Sequence, residues 1–269
     1  MSPDNLWTFW EFDPGVVISL ALAGILYWRG SRLSRGVTRR EQICFWAGMG
    51  VLIVSLISPL HPLGEQLFSA HMAQHELLMI VAAPLFVLAR PAVPMLFGVP
   101  LQWRRIAGGL FKAPAARSVW RTLTRPVNAW LIHAAAIWGW HAPALFEAGI
   151  RSDLIHTLQH CSFFFSALLF WWSLTFRESY GAAVLSVFTT SLHTSILGAI
   201  LTLSPTVWYS PYLKTAPLWG LTALEDQQTG GLIMWIPAGI VYIAAALCLM
   251  ALWIRESDLM AERRRRYAS

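Results

Sequence analysis

Seven apolar stretches divide this chain, and they restrict its fold more than any other feature. They run over residues 14–29, 43–60, 71–90, 128–143, 154–176, 182–203 and 231–254. A helix needs ~20 apolar residues to cross the hydrocarbon of a bilayer. In lipid each backbone N–H and C=O must be satisfied within the segment, which a helix does. Only 13% of the residues are charged, whereas a soluble domain carries roughly 25%. These features predict an all-α polytopic membrane protein: one domain over residues 1–269, folded as a seven-transmembrane helical bundle. The fourth stretch, "VNAWLIHAAAIWGWHAP", is the most polar, because it carries His133 and His141.

The basic residues test this count independently. Lys and Arg collect in short cytoplasmic loops, so a correct topology sorts them into alternate connections. With seven crossings, Arg29 to Arg40, Arg90 to Arg125, Arg177 and the tail arginines Arg255 and Arg263 to Arg266 fall on one side. That is 18 of the 20 basic residues, and only Arg151 and Lys214 fall on the other. The N-terminus is therefore expected outside and the C-terminus in the cytoplasm. The net charge of +6 reads as topology and contact with anionic membrane lipids, not as a nucleic-acid surface. Asp4, Glu11 and Asp13 precede the first apolar stretch, which does not suit a cleaved signal peptide, so that stretch is expected to stay in the mature protein. Cys44, Cys161 and Cys248 form no CxxC motif and imply no disulfide framework.

Two connections carry structure of their own. Residues 91–127 mix Trp103, Ile106, Leu110, Phe111 and Trp120 with basic residues, which predicts interfacial helices. Gly108, Gly109 and Pro114 divide them into two short pieces. Residues 204–230, rich in proline and aromatics, are expected to form an ordered cap over the outer mouth.

The topology places all eight histidines away from the cytoplasmic side. His71 and His75 start the third span, His156 and His160 start the fifth, and His141 closes the fourth. His133 and His193 lie about 13–16 Å deeper at 1.5 Å per residue. Residues i and i+4 lie one helical turn apart on one face, so each H-x-x-x-H pair can aim two imidazoles at one point. Two such pairs at matched depth offer four nitrogen ligands, which suits copper or zinc. Ionisable groups within spans are in any case functional candidates. His61, alone in a loop, reads as a hydrogen-bonded helix-end residue. His133, His141 and His193 are candidates for additional ligands or for orienting them. Met79 follows His75 by four and is a candidate thioether ligand, which would favour Cu(I). The stretch "QHELLM" lacks the second histidine of a zinc-protease motif, since Met79 occupies that position. Glu76 is then expected at a helix start, facing the positive end of the dipole. No nucleophile elbow, phosphate loop or paired catalytic carboxylates are found, and the chain reads as a non-enzyme.

Four blocks in order resemble one family: "HMAQHELLMIVAAPLFVLARP" (71–91), "WHAPALFEAG" (140–149), "HTLQHCSFFFSALLFWW" (156–172) and "EDQQTGGLIMW" (225–235). They are similar to motifs of the CtaG family, polytopic assembly factors of caa3-type cytochrome c oxidase. The resemblance covers about residues 60 to 250. It implies a seven-span protein of the bacterial cytoplasmic (inner) membrane whose partner is the catalytic subunit of a haem–copper oxidase, and whose cargo is copper for that subunit's copper centre. The matching positions are His71, His75, Pro84, His141, Pro143, His156, His160, Asp226, Gln227 and Trp235. Glu76 departs from the pattern, which commonly has an apolar residue there, and is either an added oxygen ligand or without a role. By this match Asp226 and Gln227, just ahead of the last span, become candidates, Asp226 as an outer ligand or as an acceptor of an imidazole N–H, or else as a helix cap. Two rival readings stay open: a bis-histidine haem protein using His133 and His193, and a metal-free assembly scaffold.

Overall fold

Side-chain caps open three of the long helices. The computed structural model describes residues 3–176 and 180–268, with side chains throughout except at Asp4 and residues 262–268. Arg177 lies outside the described residues. After a short 3-10 turn (Pro3–Thr8), Asp13 accepts from the amide of Val16 and Pro14 opens α1 (Pro14–Leu33). Thr38 and Glu41 form a reciprocal capping box at the start of α2 (Arg39–Leu56). The chain continues through α3 (Leu60–Gln66) and α4 (Phe68–Glu76). A π-helical turn (Leu77–Ala82) then joins α4 to α5 (Ala83–Ala89). Pro84 accounts for that turn: it has no N–H for the carbonyl four residues earlier, and the ladder widens so that Ala83 donates to Leu78 instead.

Beyond α5 come α6 (Ala92–Gly98), α7 (Leu101–Lys112) and α8 (Pro114–Leu123). Neither α7 nor α8 has a buried residue, and they divide at Ala113, ahead of Pro114; two short surface helices were expected there. The bundle resumes with α9 (Pro126–His141), α10 (Pro143–Arg151), α11 (Asp153–Phe176) and α12 (Tyr180–Leu203). The connection after α12 contains α13 (Tyr212–Thr215) and a 3-10 turn (Ala216–Trp219). A second capping box, Thr222 with Glu225, opens α14 (Ala223–Ala268).

All regular structure among the described residues is helical. Six helices are long and apolar enough to cross a membrane: Pro14–Leu33, Arg39–Gln66, Phe68–Ala89, Asp153–Phe176, Tyr180–Leu203 and Ala223–Ala261. The expected fourth crossing corresponds to α9, whose 16 residues span about 24 Å at 1.5 Å per residue.

The core is built around α11, which buries one face from His156 to Leu174. That face packs on α5, α9 and α10 and on the π turn. There Trp171 donates through Nε1 to the carbonyl of Met79 at 2.9 Å. Helices α12 and α14 pack together closely because both contact residues are small: a Cβ on Gly231 would collide with Thr202 and with the carbonyl of Gly198. The outward faces, such as Leu185, Phe188, Leu192 and Ile196 of α12, are exposed and apolar. Such faces are aggregation-prone in water and suited to lipid. This is a membrane protein.

Two local expectations are corrected. Glu76 is not at a helix start, since α4 begins eight residues earlier at Phe68; it is a buried carboxyl group at the entrance to the π turn. Asp226 and Gln227 are not ahead of the last long helix but inside its first turns.

Candidate metal centre

One end of the bundle collects the start of α4, the end of α9 and the starts of α10, α11 and α14. The first amides of α4 have no partner within the helix. Asp226, fully buried on α14, supplies it. Its Oδ2 accepts from the Phe68 amide at 2.6 Å, and its Oδ1 accepts from the Ser69 amide at 3.0 Å and the Ser69 hydroxyl at 2.6 Å. A single carboxylate thus fixes the helix end from which His71 and His75 project.

His71 and His75 point inward with 0% and 1% exposure, and meet His156 and His160 from α11, each 7% exposed. Ring centroids lie 5.2 Å apart for His71 and His156, 5.9 Å for His71 and His160, and 5.3 Å for His75 and His160. His71, His156 and His160 each offer a ligand atom, all within 4.8 Å of one another. His75 adjoins this triad, 4.3 Å from His71. The two H-x-x-x-H pairs therefore converge.

Six of the eight nitrogens of these rings are buried without partners. Both nitrogens of His71 and of His75, and Nε2 of His156 and of His160, have no hydrogen bond. Each buried polar atom left so costs about 1–3 kcal/mol, so a protein that merely packed these side chains would be penalised repeatedly at one spot. A cation that accepts several imidazole lone pairs removes the penalty at one stroke. The donor set, three or four neutral imidazoles, suits zinc or copper.

The surroundings hold the rings in place. Phe146 lies 4.9 Å from His71, and Phe163 lies 4.5 Å from His75. His61 stacks on His156 at 5.2 Å, but both its nitrogens are engaged. Its Nδ1 accepts from Gln74 Nε2 at 2.7 Å, and its Nε2 faces Glu11 at 3.7 Å. It is hydrogen-bonded near a helix end, as expected, but it lies on α3 and beside His156 and His160 rather than alone in a loop. The connection 204–222 forms the ordered cap. Gln227 accepts from the Trp208 amide and donates to the Thr206 carbonyl. Glu147 accepts from the amide and hydroxyl of Ser210, which hold its carboxyl below the usual range. Burial pushes the hydroxyls of Tyr209 and Tyr212 upward and keeps them neutral donors. They bond to the carbonyls of His141 and Gly64, each at 2.9 Å.

The remaining sequence candidates separate. His141 joins the cluster, 6.1 Å from His75. Asp226 and Gln227 bond to backbone and to Ser69 rather than to an imidazole. Met79 falls in the π turn, which breaks the i,i+4 register with His75, and packs in the core. The sulfur that reaches a histidine belongs to Met72, 3.4 Å from Nε2 of His141. His133 and His193 stand apart, on Ser166 and Trp138. The Ser166 hydroxyl is donated to the Phe163 carbonyl, so Ser166 accepts from Nδ1–H of His133, whose lone pair is then on Nε2. Nδ1 of His193 accepts from the Trp138 indole, so the neutral ring carries its proton on Nε2. Gln159 is a buried polar residue that sequence reasoning did not single out; its Oε1 and Nε2, like Oε2 of Glu76, have no partner.

The family model described as cytochrome c oxidase caa3 assembly factor (Caa3_CtaG) matches residues 22–256. An uncharacterised protein of Mycobacterium bovis and one of Mycobacterium tuberculosis are each 26% identical over 286 residues, covering 97% of this chain and 42% of the relative. One of Mycobacterium leprae is 24% identical over 290 residues, covering 99% and 43%. The chain thus spans less than half the length of these relatives. No solved structure matches. The chain belongs to the caa3-type cytochrome c oxidase assembly factor family.

Proposed function

We propose that this protein assists oxidase assembly by holding copper in the centre formed by His71, His75, His156 and His160, for transfer to the catalytic subunit of a haem–copper oxidase. The observation that carries this reading is the convergence of three buried imidazoles within 4.8 Å, with unpartnered nitrogens. The protein crosses the bacterial cytoplasmic membrane seven times, α9 supplying the short crossing, with the N-terminus and the histidine centre outside. The sorting of 18 of 20 basic residues to the opposite side supports that orientation. Bound copper is cargo. The role of the chain's own residues is to present neutral nitrogen donors in a water-poor pocket and to give them up to a competing ligand set. No turnover is required, and the protein is not an enzyme.

Copper content of the purified protein tests this reading. Wild-type protein is expected to take up Cu(I) in competition with a chromogenic chelator, and His71→Ala and His160→Ala to lose it. Undiminished binding in both variants would refute the site, and a metal-free scaffold would bind none from the start. A Soret band in the purified protein would favour haem instead.

A further inference from the structure

We infer that Met72 and His141 form a second, softer metal position beside the histidine triad, suited to Cu(I). This rests on the reading of the histidine centre as a metal site and extends it to a mixed sulfur–nitrogen donor set.

The tautomer of His141 is fixed by its neighbours. Its Nδ1 lies 2.7 Å from the Ile137 carbonyl, which can only accept. Nδ1 therefore carries the proton, and Nε2 of the neutral ring carries the lone pair. That lone pair faces Met72 Sδ at 3.4 Å, and a thioether has no proton to donate. Two Lewis bases are thus set side by side, both buried, at 2% and 1% exposure. A tetrahedral ion about 2.0 Å from nitrogen and about 2.3 Å from sulfur would hold the two about 3.5 Å apart. The observed separation of 3.4 Å matches the bite such a chelate requires.

Both donors are held in position. The Tyr209 hydroxyl bonds to the carbonyl of His141 at 2.9 Å, fixing the end of α9. Met72 is seated against Gly230 of α14, where a Cβ would lie 3.3 Å from Met72 Cγ and collide with the Phe68 ring. His75, with both nitrogens unpartnered, stands between the two positions, 5.3 Å from His160 and 6.1 Å from His141 by ring centroids. It is the natural shared ligand. Thioether ligands favour Cu(I), so this position gives the centre a preference that imidazole alone lacks.

X-ray absorption on full-length protein loaded anaerobically with Cu(I) tests the inference. A sulfur scatterer near about 2.3 Å is expected in wild type and should be lost in Met72→Leu. The variant should bind less Cu(I) while its Zn(II) uptake at the triad is unchanged. A nitrogen-only shell in copper-loaded wild type would overturn the second position and leave the triad reading intact. Failure to bind any metal would instead remove the triad reading as well. Should Met72→Leu fail to fold, selenomethionine-labelled wild type decides: copper–selenium scattering supports the inference, and its absence refutes it.

Discussion

Replacing Asp226 by asparagine isolates what the carboxylate does. Both of its oxygens accept from backbone amides, Oδ2 from Phe68 at 2.6 Å and Oδ1 from Ser69 at 3.0 Å. An asparagine has one acceptor oxygen, so in either flip its NH2 faces a backbone N–H. One buried donor then loses its partner and meets another donor, and the surviving bond loses its charge. An orphaned buried donor costs about 1–3 kcal/mol, and hydrogen bonds to charged groups contribute about 1.5–3 kcal/mol each against about 1 kcal/mol for neutral ones. The favourable placement of a negative charge at the helix N-terminus, about 0.3–1 kcal/mol, is also lost. Together these suggest a destabilisation of about 2–4 kcal/mol. At about 2–4 °C per kcal/mol for chains of 150–250 residues, the melting midpoint in detergent should fall by about 4–16 °C. Near-ultraviolet circular dichroism follows the melt, and amide exchange at Phe68 and Ser69 reports the helix end directly. A midpoint within about 2 °C of wild type would refute the capping argument. Copper stoichiometry separates this role from ligation: folded Asp226→Asn protein at saturating copper should bind as much as wild type.

Other outcomes follow from the same geometry. Gly230→Ala should destabilise by about 1–3 kcal/mol, the usual cost of overpacking, because its methyl group would overlap Phe68; thermal melts measure this, and an unchanged midpoint would contradict the close packing. His133→Ala and His193→Ala should leave Cu(I) stoichiometry unchanged, since their rings bond to Ser166 and Trp138 away from the cluster; titration with the chelator checks it. Glu147 should make the cap acid-sensitive. Its folded carboxyl titrates below the usual carboxylate value, so its contribution is full above the unfolded value of about 4.3 and is lost as pH falls through the lowered folded value. Exchange of the Ser210 amide should therefore be slower in wild type than in Glu147→Gln at neutral pH, and the two should converge in acid. Equal protection at neutral pH would contradict it.

Periodicity exposed the long helices and the paired histidines because each is a property of a single segment. The i,i+4 spacing of His71/His75 and of His156/His160 needs only the geometry of one helix, and matched depth brings the pairs together. Spacing failed wherever the local geometry changed or the partner came from elsewhere. Pro84 widens the turn over Leu77–Ala82, so counting four residues from His75 does not put Met79 on the same face. The proline was visible in the sequence, and its effect on the preceding turn was the missed signal. Asp226 invited a role toward imidazole, yet its partners are the amides of a helix 157 and 158 residues away in sequence. Met72 is the sharpest case. One residue from His71, it is turned about 100° around the helix, away from the ring it follows. That rotation aims the sulfur across the bundle at His141 on α9. A donor pair made by two helices leaves no spacing in either one, so only the tertiary packing reveals it.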